Sequence, residues 1–200
     1  MKSILSLIVL IMITGFPVTG IIPSDSLDQD RDIFELLEQN QEQLKQSIDG
    51  LSQEQMNYKP DAESWSIAQV VEHINTVEAG LSGMLRQKFT EDATPEMRSE
   101  VQMSDEQVLG LITDRSQKMK TQAQFEPKGA FSTADDALEA FEDQREDIVD
   151  FLKDTDVDMR NYINEFPFGK IDAYQTVLFM AGHTSRHIEQ IREIKQTAGF

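Results

Sequence analysis

Apolar residues recur along this chain at the 3.6-residue spacing of helices, and no stretch alternates convincingly as a strand. A first helix is expected from about Asp28 to Ile48, with Ile33, Leu36, Leu37, Leu44 and Ile48 as its apolar positions. The polar stretch from Gly50 to Ser64, which includes Pro60, reads as a connection. Ser66-Ile67-Ala68-Gln69 then has the capping-box pattern, in which the Ser oxygen and the Gln side chain satisfy backbone donors that a helix start leaves free. The second helix follows, and Ile67, Val70, Val71, Ile74, Val77, Leu81, Met84 and Leu85 form one stripe along it.

Thr90 to Phe131 reads as a long crossover, interrupted by a short helix that Ser104-Asp105-Glu106-Gln107 opens and that carries Val108, Leu111 and Ile112. Pro127 and Gly129 close the crossover. A third long helix is expected from near Thr133 to about Lys153, through Ala137, Leu138, Phe141, Ile148 and Leu152. A loop with Pro167 and Gly169 spans Asp154 to Ile171, and Asp172-Ala173-Tyr174-Gln175 starts a last helix that runs to about Gln196. Four long helices with a crossover between the second and third make an all-α four-helix bundle the economical arrangement.

The first twenty residues differ in kind. Lys2 precedes an apolar run from Ile4 to Ile13, Gly15 and Pro17 break it, and Val18-Thr19-Gly20 offers small residues for cleavage. This is the layout of a secretory signal peptide, with an uncleaved anchor as the alternative. The domain division expected is therefore a signal peptide over 1–20 and one helical domain over 21–200, with the mature protein periplasmic or secreted.

Charge narrows the function classes. Eighteen Lys and Arg face 36 Asp and Glu, a net −18, and removing Lys2 with the leader makes the remainder more acidic still. Such a surface repels phosphate backbones and anionic headgroups, so neither nucleic acid nor, after cleavage, a membrane is an expected partner. With no cysteine there is no disulfide, thiolate metal site or cysteine nucleophile. A small-molecule substrate of unspecified kind remains, and homodimerisation is left open.

Three histidines carry the remaining information. His183 and His187 lie one turn apart on the last helix, and His73 falls in the middle of the second. At 100° per residue, His73 sits roughly 80° from the centre of its helix's apolar stripe, and His183 and His187 roughly 110–150° from theirs. All three are flank positions that border a groove. Two imidazoles at i, i+4 and a third from another helix can take three corners of a tetrahedron, leaving the fourth for water or substrate, as in catalytic zinc sites. Neutral imidazole equally suits nickel, copper or iron. Chance surface histidines are the plainer explanation of the spacing alone.

Two stretches resemble the signatures of the DinB/YfiT-like superfamily. One is Asn57-Tyr58-Lys59-Pro60 followed by Ser64-Trp65-Ser66 and, two turns on, His73. The other is Gly182-His183-Thr184-Ser185-Arg186-His187 followed by Ile188-Glu189-Gln190-Ile191. The resemblance covers essentially the whole chain after the leader. It implies an up-down-down-up bundle and a divalent metal, often zinc or nickel, held by His73, His183 and His187. It also implies relatives that include thiol transferases and isomerases using low-molecular-weight thiols.

Acceptors behind the ligands are expected among polar neighbours on the same faces: Gln69 and Thr76 near His73, and Thr176 and Gln190 near the pair. Trp65 reads as packing at the bundle end. Asp154, Asp156, Asp158 and Glu165 match the acidic skeleton of a calcium loop, but Met159 stands where a sharp turn needs Gly, and an acid-rich loop is the ordinary reading. The functional expectation is an exported metalloenzyme, a metal-dependent hydrolase or transferase, whose three-His site activates water or a thiol. The alternatives are a non-catalytic divalent-metal-binding protein and a plain helical interaction module. Neither the catalytic residues nor a general base can be named from the sequence.

Overall fold

Local capping chemistry sets where three of the four long helices begin. In the computed structural model, which describes residues 29–116 and 120–200 (side chains from Ile33 onward), α3 (Ile67–Lys88) starts after Ser66. The Ser66 oxygen accepts from the Gln69 backbone N–H at 3.3 Å, and Gln69 Oε1 accepts from the Ser66 N–H at 3.1 Å. Asp172 and Gln175 make the same reciprocal pair at the start of α6 (Ala173–Lys195). Thr133 caps α5 (Ala134–Asp154) through the Asp136 N–H. The remaining long helix, α1, spans Gln29–Ile48, and Ser104 with Gln107 opens the short α4 (Asp105–Thr113) inside the crossover. The signal-peptide reading of residues 1–20 lies outside the described residues.

Two segments differ from the expected connections. The stretch from Gly50 to Ser64 contains α2 (Gln53–Asn57), one turn opened by a further capping box between Ser52 and Gln55. The loop from Asp154 to Ile171 contains an antiparallel hairpin, β1 (Ile163–Phe166) and β2 (Gly169–Asp172), so the bundle is not purely helical. Its strands are four residues long and bury adjacent pairs, Ile163 with Asn164 and Ile171 with Asp172. That pattern lacks the period of two by which a half-buried strand is recognised.

Side-chain bonds fix the helix directions. Asn40 donates to the Ala181 carbonyl and Lys195 to the Ser47 carbonyl, so α1 and α6 advance together. Gln144 donates to the Asn75 carbonyl and Arg86 to Asp147, so α3 and α5 do likewise. Arg145 reaches the Leu37 carbonyl while Lys45 reaches Glu142, so α1 and α5 run oppositely. The order is up, down, down, up. A parallel α3–α5 pair needs a connection that returns along the whole bundle, and residues 89–133 supply it.

The core has two apolar clusters. One gathers Ile33, Leu37, Leu81, Leu85, Ile148, Tyr174 and Val177, and the other Leu44, Ile48, Ile67, Ile74, Phe141, Ile188 and Ile191. Each fully buried large aliphatic side chain contributes about 1.5–3 kcal/mol relative to exposure. Between them lies a polar layer. Arg145 on α5 pairs with Glu78 on α3, the two being 1% and 0% exposed, and Arg145 Nη1 donates to the Leu37 carbonyl of α1 at 2.8 Å. Thr184 of α6 donates its hydroxyl to Glu78. One network thus joins all four long helices, and His183 directly precedes its α6 member, Thr184.

Candidate metal centre

The three histidines come together. His73 from α3 and His183 and His187 from α6 each offer a ring nitrogen, and these atoms all lie within 4.8 Å of one another. Among the described residues this is the set that converges. The acidic skeleton from Asp154 to Glu165 does not. Asp158 pairs with Arg98 and caps the turn at Arg160, while Glu165 is exposed on β1.

Hydrogen bonds decide which nitrogens are free. The Phe125 carbonyl can only accept, so His73 Nδ1 carries the proton in their 2.8 Å bond and Nε2 keeps its lone pair. His187 Nδ1 likewise donates to Gln190 Oε1 at 2.8 Å. His187 Nε2 then faces His183 Nε2 at 3.2 Å. Two nitrogens bound to one tetrahedral zinc at about 2.0–2.1 Å would stand about 3.3 Å apart, so this spacing fits a shared ion. His183 differs from its partners because its Nδ1 is buried and has no hydrogen-bond partner.

The donors are uncharged at neutral pH. Burial lowers the pKa of His73, against the opposing bond to Phe125. Burial also holds His183 well below its ordinary value, with the other two imidazoles and Arg186 acting in the same direction. His187 falls to about 3, chiefly through burial and then through the His73 charge, with the Gln190 bond opposing. Neutral imidazole is the form that binds a metal, so ligand type and charge suit a divalent cation at all three residues, and the tautomer does at His73 and His187.

Burial exceeds what the helical wheels imply. The flank positions border no open groove, since His73, His183 and His187 are only 4%, 7% and 8% exposed. The crossover covers them. On one side Phe125 lies against α3, its ring so near Gly80 that a Cβ there would sit 3.1 Å away. On the other, α4 presses onto α6 at Gly182, where an added Cβ would meet Ile112 Cγ2 at 2.4 Å. Arg186 donates to the Asp114 and Ile112 carbonyls, and Arg115 to the Arg186 carbonyl at 2.9 Å, fastening the end of α4 beside the pair.

Of the acceptors expected behind the ligands, Gln190 takes that role. Gln69 is used in the capping box, Thr76 bonds the Glu72 carbonyl, and Thr176 bonds the Asp172 carbonyl and Asn164. Trp65 packs on the second apolar cluster but also touches the site, its ring centre 4.9 Å from that of His73. Sequence reasoning missed Phe125, whose backbone carbonyl has no signature, and Glu72. Glu72 left a faint signal as an acid set between Val71 and His73, beside the stripe residues Val70, Val71 and Ile74. It is 7% exposed, and its carboxylate accepts from the backbone N–H groups of Lys128, Gly129 and Ala130 at 2.7, 2.8 and 3.0 Å. A separate cavity of about 400 Å³ opens near the start of α6, lined by Arg98, Asp105, Arg160, Asp172 and Gln175 among others. Gln175 precedes His183 by eight residues, or about 12 Å of helix, so that cavity lies away from the triad.

Residues 36–191 match the model of the DinB superfamily. The chain belongs to the DinB superfamily. It is 26% identical over 150 residues to the uncharacterized protein YuaE of Bacillus subtilis strain 168, across 74% of this chain and 88% of that one. It also shares its fold with YfiT from Bacillus subtilis, at a TM-score of 0.58 and 16% identity, over 87% of this chain and 90% of that one. YfiT is described as "a probable metal-dependent hydrolase with an unusual four-helix bundle topology". The up-down-down-up order of this DinB-superfamily chain is that of a four-helix bundle whose two middle helices run parallel.

Proposed function

We propose that this DinB-superfamily protein is a metal-dependent hydrolase of a small molecule, with His73, His183 and His187 holding one divalent cation, zinc or nickel. The observation that carries this reading is the convergence of three buried neutral imidazoles, two of them with Nδ1 tied to an acceptor and Nε2 left free. A divalent ion on three neutral ligands keeps its full charge and lowers the pKa of a bound water or thiol. The description of YfiT favours water over thiol as the group activated. The protein's own part is positional. Phe125 and Gln190 fix the tautomers of two ligands, while Trp65, Phe125 and Ile112 limit solvent at the triad. Neither nearby α3 carboxylate is free for proton transfer, because Glu72 is committed to three backbone donors and Glu78 to Arg145 and Thr184. The leader-like pattern of residues 1–20 supports export, where hydrolysis needs no cytosolic thiol.

A non-catalytic metal-binding role is favoured by one observation, the near-complete burial of all three imidazoles. Elemental analysis of the protein as isolated, beside the His73→Ala, His183→Ala and His187→Ala variants, tests the shared premise. About one equivalent in the parent and loss in each variant is expected. Turnover of small ester and amide substrates by metal-loaded protein, abolished in the same variants, separates the enzyme from the binder.

A further inference from the structure

Glu72 places a carboxylate at a buried position of α3, and that is costly unless the group is compensated. The compensation comes wholly from the crossover, as three consecutive backbone N–H groups converge on the carboxylate. They converge because Gly129 has φ +88°, a left-handed turn that aims successive N–H groups to one side and makes an anion-binding concavity. The anion it binds is this chain's own Glu72. Three residues before Lys128, the Phe125 carbonyl accepts a hydrogen bond from His73 Nδ1, and the Phe125 ring rests at Gly80, two turns along α3 from His73. One short piece of crossover is therefore pinned to α3 at residues 72, 73 and 80, and the middle pin is the group that orients a triad histidine.

We propose that Glu72 is a positioning residue for the metal centre: its carboxylate holds the 128–130 turn, and that turn keeps the Phe125 carbonyl on His73. The inference rests on the reading of the triad as a divalent-metal site. It links the two ends of the chain of contacts reciprocally. Whatever loosens the turn weakens the metal, and the metal, by fixing His73, tightens the turn.

The test is a nickel(II) titration of the full chain, followed by the fluorescence of Trp65, the single tryptophan, whose ring lies against His73. It is paired with amide exchange at residues 128–130 with and without nickel. Glu72→Gln replaces one accepting oxygen by an NH2 that faces backbone donors. Expected are a fall in nickel affinity of about 10–100-fold, the range for loss of an outer-shell partner, and faster exchange at 128–130 that nickel slows less than in the parent. Gly129→Ala strains the same turn from the crossover side without touching α3, and should shift both readouts in the same direction. It carries the test alone if Glu72→Gln fails to fold. A parent that binds nickel, together with folded variants of unchanged affinity but rapid exchange at 128–130, overturns the inference and leaves the metal reading standing. A parent that binds no divalent ion overturns both.

Discussion

His187 Nε2 stands 3.2 Å from His183 Nε2, and only one of these two rings is secured from behind. Gln190 holds His187, while His183 Nδ1 is buried without a partner. The α6 pair is thus asymmetric, one ring tied at Nδ1 beside one whose Nδ1 is not.

Gln190→Leu should expose this dependence. With no acceptor on Nδ1, His187 is free to adopt either tautomer, and metal affinity should fall about 10–100-fold while saturation still reaches one equivalent. Competition against a chelator of known affinity measures it. An unchanged affinity would show that packing alone orients His187.

Acid should destabilise the metal-free protein through the same residues. The folded pKa of His187 is about 3 against an unfolded value of 6.5, so between these limits the unfolded chain binds the extra proton. The stability this burial contributes is complete above pH 6.5 and is lost as pH falls toward 3. His73 and His183 act in the same direction, as both are lowered by burial. Denaturant midpoints taken from pH 7.5 to 5 should fall, and His187→Phe should flatten the slope.

The Glu78–Arg145 pair should behave as a unit. Glu78→Leu leaves the guanidinium of Arg145 buried without its carboxylate, and should cost about 3–5 kcal/mol. Glu78→Leu combined with Arg145→Met removes both charges and should recover most of that loss. Urea unfolding of the single and double variants measures the coupling, and near-additive costs would contradict it.

Two helical glycines should respond oppositely. A Cβ at Gly83 on α3 meets nothing within 4 Å, so Gly83→Ala should gain up to about 1 kcal/mol from helix propensity. At Gly182 a Cβ would clash with the Ile112 side chain of α4, so Gly182→Ala must displace Ile112 and should cost about 1–3 kcal/mol. Thermal midpoints of the two variants separate the effects, and a gain at Gly182 would show that α4 moves freely.

Sequence was most legible where cause and effect lie within one turn. Ser66 with Gln69, Ser104 with Gln107 and Asp172 with Gln175 each join residues three apart, so the helix starts follow from local chemistry. The same rule would have placed α2 at Ser52 and Gln55. The hairpin escaped because four-residue strands with adjacent buried pairs do not alternate.

The triad was legible as three residues at a suggestive spacing, and its surroundings were not. Wheels placed the histidines on helix flanks, which is correct for each helix alone, yet a wheel cannot represent a crossover folded over the flank. Trp65 packs as its aromatic type suggested, and it also touches His73 because the turn before α3 brings it there.

What the chain determined by itself was the four long helices and α4, their apolar stripes and the identity of the three imidazoles, because these depend on side-chain chemistry repeated at short range. The tertiary structure alone decided that Phe125 backs His73 across 52 residues, that Glu72 grips the crossover across 56 to 58, and that Glu78 meets Arg145 across 67. Two of those three contacts use backbone groups, which are alike at nearly every position. Only the path of the folded chain selects which of them arrives.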